Sequence, residues 1–145
     1  MPLPKFESNG DLPEGLHQVA FDEVLAYFGS GSPQRDSVTK ILTHIYSAVL
    51  ATGQLERFII YGSYITAKPD PQDVDIFLVM AQDFDFDRLS GETRLNFSHN
   101  ESQHKLGASI FWVTSGTSLA NIDFLIAGWQ TKRDKTLRGI VEVVL

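Results

Sequence analysis

Apolar residues recur along the chain with two different periods, and each period predicts its own elements. From about residue 34 to residue 52 they return every three or four positions, which is the spacing of one helix face, and Gly53 follows as a stop signal. A shorter helix is predicted at residues 21–28. A third is predicted to begin after Ser118, a residue suited to cap it, and to run to about residue 130.

Short apolar runs rich in β-branched and aromatic residues predict buried strands. These strands are expected at residues 58–61, 73–80, 108–114 and 138–145. Residues 83–105 are predicted to form a loop with some helix, and the turn-forming residues 9–15 an irregular opening segment. The prediction is therefore one domain over residues 1–145, of the α+β class, with helices flanking a mixed sheet.

The composition narrows the class of protein. The chain has 145 residues, of which 43% are apolar and 21% charged, as is typical of one globular domain with its own core. Cysteine is absent, which excludes disulfides, thiolate metal ligands and a cysteine nucleophile. No apolar run is long enough for a membrane span and the first residues do not resemble a signal peptide, so we expect a cytoplasmic protein with no membrane partner.

The net charge of −6 makes general nucleic-acid binding unlikely as a function, because an acidic surface repels a phosphate backbone. One basic cluster stands out against this acidity: Lys132, Arg133, Lys135 and Arg138. Because Asp134 lies within the cluster, a solvated turn after a helix is the simpler interpretation. A nucleotide or a metal-bound phosphate stays compatible with the acidic charge, since a bound cation reverses the local potential.

Two carboxylates lie at the start of the strand predicted from residue 73. Side chains of a strand alternate between its faces, so Asp73 and Asp75 project to the same side. Carboxylates this close repel each other unless a cation lies between them. Mg²⁺ is the expected cofactor, with Mn²⁺ as the alternative, because it binds carboxylates together with substrate phosphates. The structural alternative is a pair of turn and cap carboxylates at a strand entrance.

Gly62 and Ser63 directly follow the strand predicted at residues 58–61. A glycine there permits a tight turn and the close approach of a ligand, while the serine hydroxyl and N–H can bind a phosphate oxygen. Thr66 and Lys68 are further candidates for nucleotide phosphate binding, although a lone loop lysine is usually solvated. The structural alternative is a turn glycine followed by a helix cap.

With these motifs the sequence resembles the polymerase-β-like, or minimal, nucleotidyltransferases. That superfamily carries a hydrophobic residue, Gly-Ser, about ten residues, and then acid–hydrophobic–acid–hydrophobic. Here nine residues separate Tyr-Gly-Ser (61–63) from Asp-Val-Asp-Ile (73–76). The resemblance implies a nucleotidyltransferase-like fold in which Asp73 and Asp75 bind the metal and Gly62 and Ser63 bind an NTP. The reaction it implies is transfer of a nucleoside monophosphate to a hydroxyl acceptor.

A narrower resemblance, to a small bacterial family of uncharacterised function with this core, covers nearly the whole chain. It rests on residues 9–17, 62–68 and 138–141. One departure from the superfamily concerns the next strand, where active members usually carry a third carboxylate. Ser109 stands at that position here, and serine replaces neither a metal ligand nor a base well. Asp123 is a weaker candidate for the missing acid.

The resemblance therefore leaves two functions open. The first is an Mg²⁺-dependent nucleotidyltransferase. The second is a catalytically degenerate module that binds a nucleotide or a partner protein, as in toxin–antitoxin or defence systems. Larger transferases bind the acceptor with an additional helical domain, and 145 residues do not provide one. A partner protein or self-association would then complete the site.

Overall fold

The computed structural model describes residues 3–89, 91–99, 102–116 and 119–145. Its strands are β1 (Leu16–Ala20), β2 (Leu55–Tyr61), β3 (Val74–Met80), β4 (Ala108–Thr114) and β5 (Ile140–Val144). Its α-helices are α1 (Phe21–Phe28), α2 (Pro33–Leu50), α3 (Gly91–Leu95) and α4 (Leu119–Trp129). The predicted cap of α4, Ser118, lies outside the described residues. None of the helices in the described part of the chain has the length and hydropathy of a membrane span.

The strands form one mixed sheet in the order β1-β5-β2-β3-β4. The runs predicted at residues 58–61, 73–80 and 108–114 lie side by side in it, because β2 pairs antiparallel with β3 and β3 pairs parallel with β4. The predicted α+β class with a mixed sheet is confirmed. The region from residue 83 to 105 contains only short helical turns in its described part, as predicted.

Strand β1 was not predicted from the sequence. This strand lies at the edge of the sheet, parallel to β5, with Leu16 opposite Ile140 and Val19 opposite Val143. Only Val19 of its five residues is buried, so the strand carries almost none of the apolar signal by which strands are recognised. Its pairing with the far end of the chain supplies the stability that its own composition does not.

Directly paired residues of neighbouring strands point to the same side of the sheet, so the strand pairings assign every side chain to one of two faces. These two faces are covered differently. The two-helix face is covered by α1 and α2, and Tyr46 of α2 packs edge-on against Phe58 of β2 at 5.1 Å. We call the other side the cleft face. It is covered in part by α4, whose Trp129 stacks on Tyr61 at 4.4 Å and also packs against Phe77.

The core lies mainly on the two-helix face. Most of the periodic apolar residues of α2 point into it as predicted and are buried, but Ile41 is only half-buried and Leu50 is exposed. The fully or almost fully buried side chains contributed by the two helices are Val24, Phe28, Val38, Leu42, Ile45 and Val49. This packing fixes β2 and β3 rigidly, and the candidate site is built at the end of β2 and the start of β3.

Candidate functional site

The turn after β2 brings Gly62 against a carboxylate. Gly62 has φ +83° and ψ −164°, a conformation that favours glycine, and a short 3₁₀-helix (Ser63–Ile65) follows it. A Cβ at position 62 would collide with Oδ2 of Asp75 and lie 2.9 Å from its Cγ. Glycine is therefore required here for two reasons, the backbone conformation and the close approach of the Asp75 side chain.

Asp75 lies on the cleft face, directly opposite Tyr61 on β2 and Ser109 on β4. The Ser109 hydroxyl donates a hydrogen bond to its carboxylate. Burial, followed by repulsion from Asp73, raises the pKa of Asp75 to about 6, although Arg138 and the Ser109 hydrogen bond act in the opposite direction. Asp75 is thus a half-buried carboxylate whose charge is poorly compensated.

Asp73 immediately precedes β3, is half-buried, and interacts electrostatically with both Asp75 and Tyr61. Burial and the charges of these two aspartates raise the pKa of the Tyr61 hydroxyl. Among the described residues, no three His, Asp or Glu side chains are grouped so that they could hold a metal ion. Two neighbouring carboxylates instead fit Mg²⁺ that is shared with substrate phosphates, its usual arrangement in phosphoryl-transfer sites.

Ser63 and Lys68 border the same space as Asp75, but Thr66 does not. The Thr66 hydroxyl donates to the Ser63 carbonyl at 2.6 Å and accepts from the Lys68 N–H at 3.2 Å. Thr66 is buried and lines a separate cavity of about 320 Å³. The structure therefore places Thr66 where it shapes the loop between the two motifs, out of contact with the candidate phosphate site.

Arg35 of α2 holds this loop, and this role was not predicted from the sequence. Its buried guanidinium donates to the backbone carbonyls of Phe28, Tyr64, Thr66 and Lys68. The sequence contains an indication of this role, because Arg35 lies three residues before Val38 and so falls on the apolar face of the helix. A buried arginine on such a face predicts a structural role toward backbone carbonyls.

These residues open onto a cleft of about 790 Å³. Part of its lining is the Gly62–Ser63 turn and Asp75, and part is the end of α4 with Trp129. The remaining part is the turn that follows α4, which we call the basic turn (residues 131–138). Asp123, the weaker candidate for the third acid, is exposed on α4 and does not line the cleft.

The basic turn is more than the solvated turn that its sequence suggests. Lys132, Arg133 and Arg138 line the cleft, and only Lys135 of the cluster points elsewhere. Together with Lys68, the described lining residues comprise four basic side chains against two acidic ones, Asp75 and Asp134. The described lining of the cleft is therefore richer in basic than in acidic side chains, although the whole chain carries a net charge of −6.

Asp11 anchors the basic turn from the opening segment. Its buried carboxylate lies 2.9 Å from the Lys132 ammonium and 3.8 Å from the Arg138 guanidinium. The neighbouring backbone extends this bracing, because Ala67 N–H donates to the Gly10 carbonyl at 2.8 Å and Gly139 N–H to that of Leu12 at 2.9 Å. The three segments that carry the narrower resemblance, 9–17, 62–68 and 138–141, thus contact one another beside the cleft.

Two buried donors border the cleft without a partner. Within the described part of the chain, neither Nε1 of Trp129 nor Nε of Arg138 has a hydrogen-bond acceptor. Trp129 is held by stacking between Tyr61 at 4.4 Å and Phe111 at 5.3 Å. Buried donors are rarely left unsatisfied, so their presence indicates a place where a water or a ligand supplies acceptors.

The chain belongs to a protein family of unknown function, DUF6932, whose profile matches residues 4–144. Neither the comparison with curated proteins nor that with solved structures gave a match. The matched range includes every residue of the cleft, so this site lies within the domain that defines the family.

Proposed function

We propose that the cleft binds an Mg²⁺–NTP and that the protein transfers the nucleoside monophosphate to a hydroxyl acceptor. The observation that carries this proposal is the packing of the Asp75 carboxylate on Gly62 inside a cleft whose described lining has more basic than acidic side chains. It agrees with the nucleotidyltransferase-like fold that the sequence resembles, in which the Gly-Ser turn and the acid pair act on one substrate.

Each residue then has a defined task. Asp73 and Asp75 would hold Mg²⁺, or Mn²⁺ in its place, and the chemistry that such an ion would supply is neutralisation of phosphate charge. The backbone at Gly62 and the hydroxyl of Ser63 contact phosphate oxygens, and Lys68 at the edge of the cleft adds positive charge. Positioning and charge neutralisation supply most of the rate in such a site.

Ser109 favours a second candidate function, nucleotide or partner binding without transfer. It lies opposite Asp75 in the parallel pair of β3 and β4, where the superfamily places its third carboxylate. A hydroxyl that donates to Asp75 neither binds Mg²⁺ strongly nor takes a proton from an acceptor. On this alternative the cleft binds a nucleotide, and a partner protein or a second copy of the chain binds to the nucleotide-bound form.

One experiment separates the two functions. Purified protein is incubated with Mg²⁺ or Mn²⁺ and each of the four α-labelled NTPs, and label on the protein or on added acceptors is measured together with pyrophosphate release. Transfer that is lost in Asp75→Asn and kept in Asp87→Asn, an exposed acid outside the cleft, supports the enzyme. Metal-dependent nucleotide binding without transfer supports the second function.

Ser109→Asp sharpens this result. If the wild type binds but does not transfer, gain of metal-dependent transfer in Ser109→Asp shows that the site lacks only its third ligand. Absence of NTP binding contradicts the transferase and the nucleotide-binding form of the second function, and transfer that survives the combined loss of Asp73 and Asp75 contradicts both functions.

A further inference from the structure

We infer that the basic turn is a polyphosphate-binding site, in which Lys132, Arg133 and Arg138 beside Trp129 hold the phosphate tail of the substrate and Asp11 keeps them in place. The identity of the substrate as a nucleotide rests on the proposed function. The anion site does not depend on the metal, because none of its basic residues is a proposed metal ligand.

The charge of the basic turn is only partly neutralised within the protein. One carboxylate, that of Asp11, serves both Lys132 and Arg138. Within the described residues, neither Arg133 nor Lys68 has a carboxylate at ion-pair distance. A cleft with this excess of cations attracts a compact, multiply charged anion, while the acidic remainder of the surface repels an extended nucleic acid.

The two unpartnered donors indicate the same ligand chemistry. Nε of Arg138 and Nε1 of Trp129 are buried at the cleft and lack acceptors in the described structure. Phosphate oxygens are strong acceptors, and an arginine binds them through several N–H groups at once. Both donor atoms are buried behind the cleft surface, so a bound polyphosphate would reach them only after the side chains of Arg138 and Trp129 shift.

Asp11 is a positioning residue in this proposal. It is buried beneath the turn and contacts Lys132 at 2.9 Å, so it fixes a long flexible side chain at the cleft. Arg138 interacts with both Asp11 and Asp75, and thereby joins the basic turn to the acid pair. The opening segment of the chain thus contributes to ligand binding through a residue that does not itself line the cleft.

The test is calorimetric titration of the full chain with inorganic tripolyphosphate in EDTA. We expect saturable binding that weakens with salt and that falls by about tenfold or more in Arg133→Glu, an exposed lining residue whose replacement disturbs no ion pair. Lys135→Glu is the matched control in the same turn and should change affinity by less than about twofold. Absence of binding by the wild type, or an equal loss in both variants, overturns the inference.

Three further measurements identify which residues bind the anion and which kind of anion they prefer. Asp75→Asn removes a proposed metal ligand and a negative charge, and in EDTA it should keep or strengthen tripolyphosphate binding. This result would support the anion site even if the protein transfers no nucleotide. Tighter binding of a single-stranded RNA oligonucleotide than of tripolyphosphate contradicts the assignment to polyphosphate. Asp11→Asn, with its folding checked by thermal melting, should weaken binding although it removes a negative charge; tighter binding would contradict the positioning role.

Discussion

The two faces of the central sheet are built from the same strands but bury different chemistry. On β3, the side chains of Val74, Ile76 and Leu78 point to the two-helix face and are completely buried. The residues between them point to the cleft face, where Asp75 meets Ser109 and Gly62. A single alternating strand therefore serves as core on one side and as the floor of a charged cleft on the other.

This difference shows how the chain maintains a destabilising site. On the cleft face a poorly compensated carboxylate and two unpartnered donors oppose folding. On the two-helix face α2 alone buries Val38, Leu42, Ile45 and Val49 completely or nearly so. The hydrophobic face supplies the free energy that lets the other face keep groups arranged for a ligand.

The largest effect on stability is expected from the two-helix face. Ile76→Ala should lower the free energy of unfolding by about 3–4 kcal/mol, because it removes buried methylene groups and leaves a cavity between the sheet and the helices. The control is Val144→Ala in β5, where the side chain is 57% exposed and the expected loss is about 0.5 kcal/mol. Urea unfolding measures both. Equal losses would contradict the division of the sheet into two faces.

Gly62→Ala tests the close approach that defines the cleft. We expect a loss of about 2–3 kcal/mol, part from the positive φ and part from the collision with the Asp75 carboxylate. Gly53→Ala is a matched control, because Gly53 has φ +70° but its added Cβ would meet nothing within 4 Å; it should lose only about 1 kcal/mol. In an Asp75→Ala background the cost of Gly62→Ala should fall toward the control value, and an unchanged cost would exclude the contact.

The bounds of most helices and strands could be predicted from the sequence. Helix α1 and strand β4 have the predicted bounds, and α2, β2, β3 and β5 lie within a few residues of theirs. Gly62 and Asp75 were found because a glycine after one strand and alternating acids at the next are neighbours in sequence as well as in space. Patterns of this kind are set by the period of a single element.

The rest of the site depends on contacts that no local pattern encodes. Asp11 and Lys132 are 121 residues apart, and only the pairing of β1 with β5 brings the opening segment to the basic turn. The interpretation of that turn as merely solvated followed from its mixed charges alone. Similarly, Thr66 has the composition of a phosphate ligand, but its hydroxyl is already bonded to the Ser63 carbonyl.

Asp75→Asn should make the protein more stable while removing a proposed metal ligand. Burial and the neighbouring Asp73 raise the pKa of Asp75 to about 6, so at pH 7.5 its ionised form opposes folding. Without added metal we expect the free energy of unfolding to rise by about 1–2 kcal/mol. Asp87→Asn, an exposed acid, should change it by no more than about 0.5 kcal/mol. A destabilised Asp75→Asn variant would show that the carboxylate is structural.

The smallest effect concerns the ion pair at the other end of the cleft face. Arg57 donates two hydrogen bonds of 2.8 Å to Glu142, and Gln18 donates a third. Burial raises the pKa of Glu142, but the hydrogen bonds from Arg57 and Gln18 and the charge of Arg57 lower it by more. The pKa of Glu142 therefore lies below its ordinary value of 4.5. A depressed pKa contributes stability above the unfolded-state pKa, and this contribution is lost as the pH falls through the folded-state pKa.

Glu142→Gln should therefore cost about 1 kcal/mol at pH 7, and the difference from the wild type should shrink as the pH is lowered below 4.5. Urea unfolding at pH 7, at pH 5 and below pH 4.5 measures this difference directly. Glu14→Gln, at an exposed position, is the control and should show almost no difference at any pH. If the two variants behave alike, the Arg57–Glu142 pair contributes nothing measurable to stability.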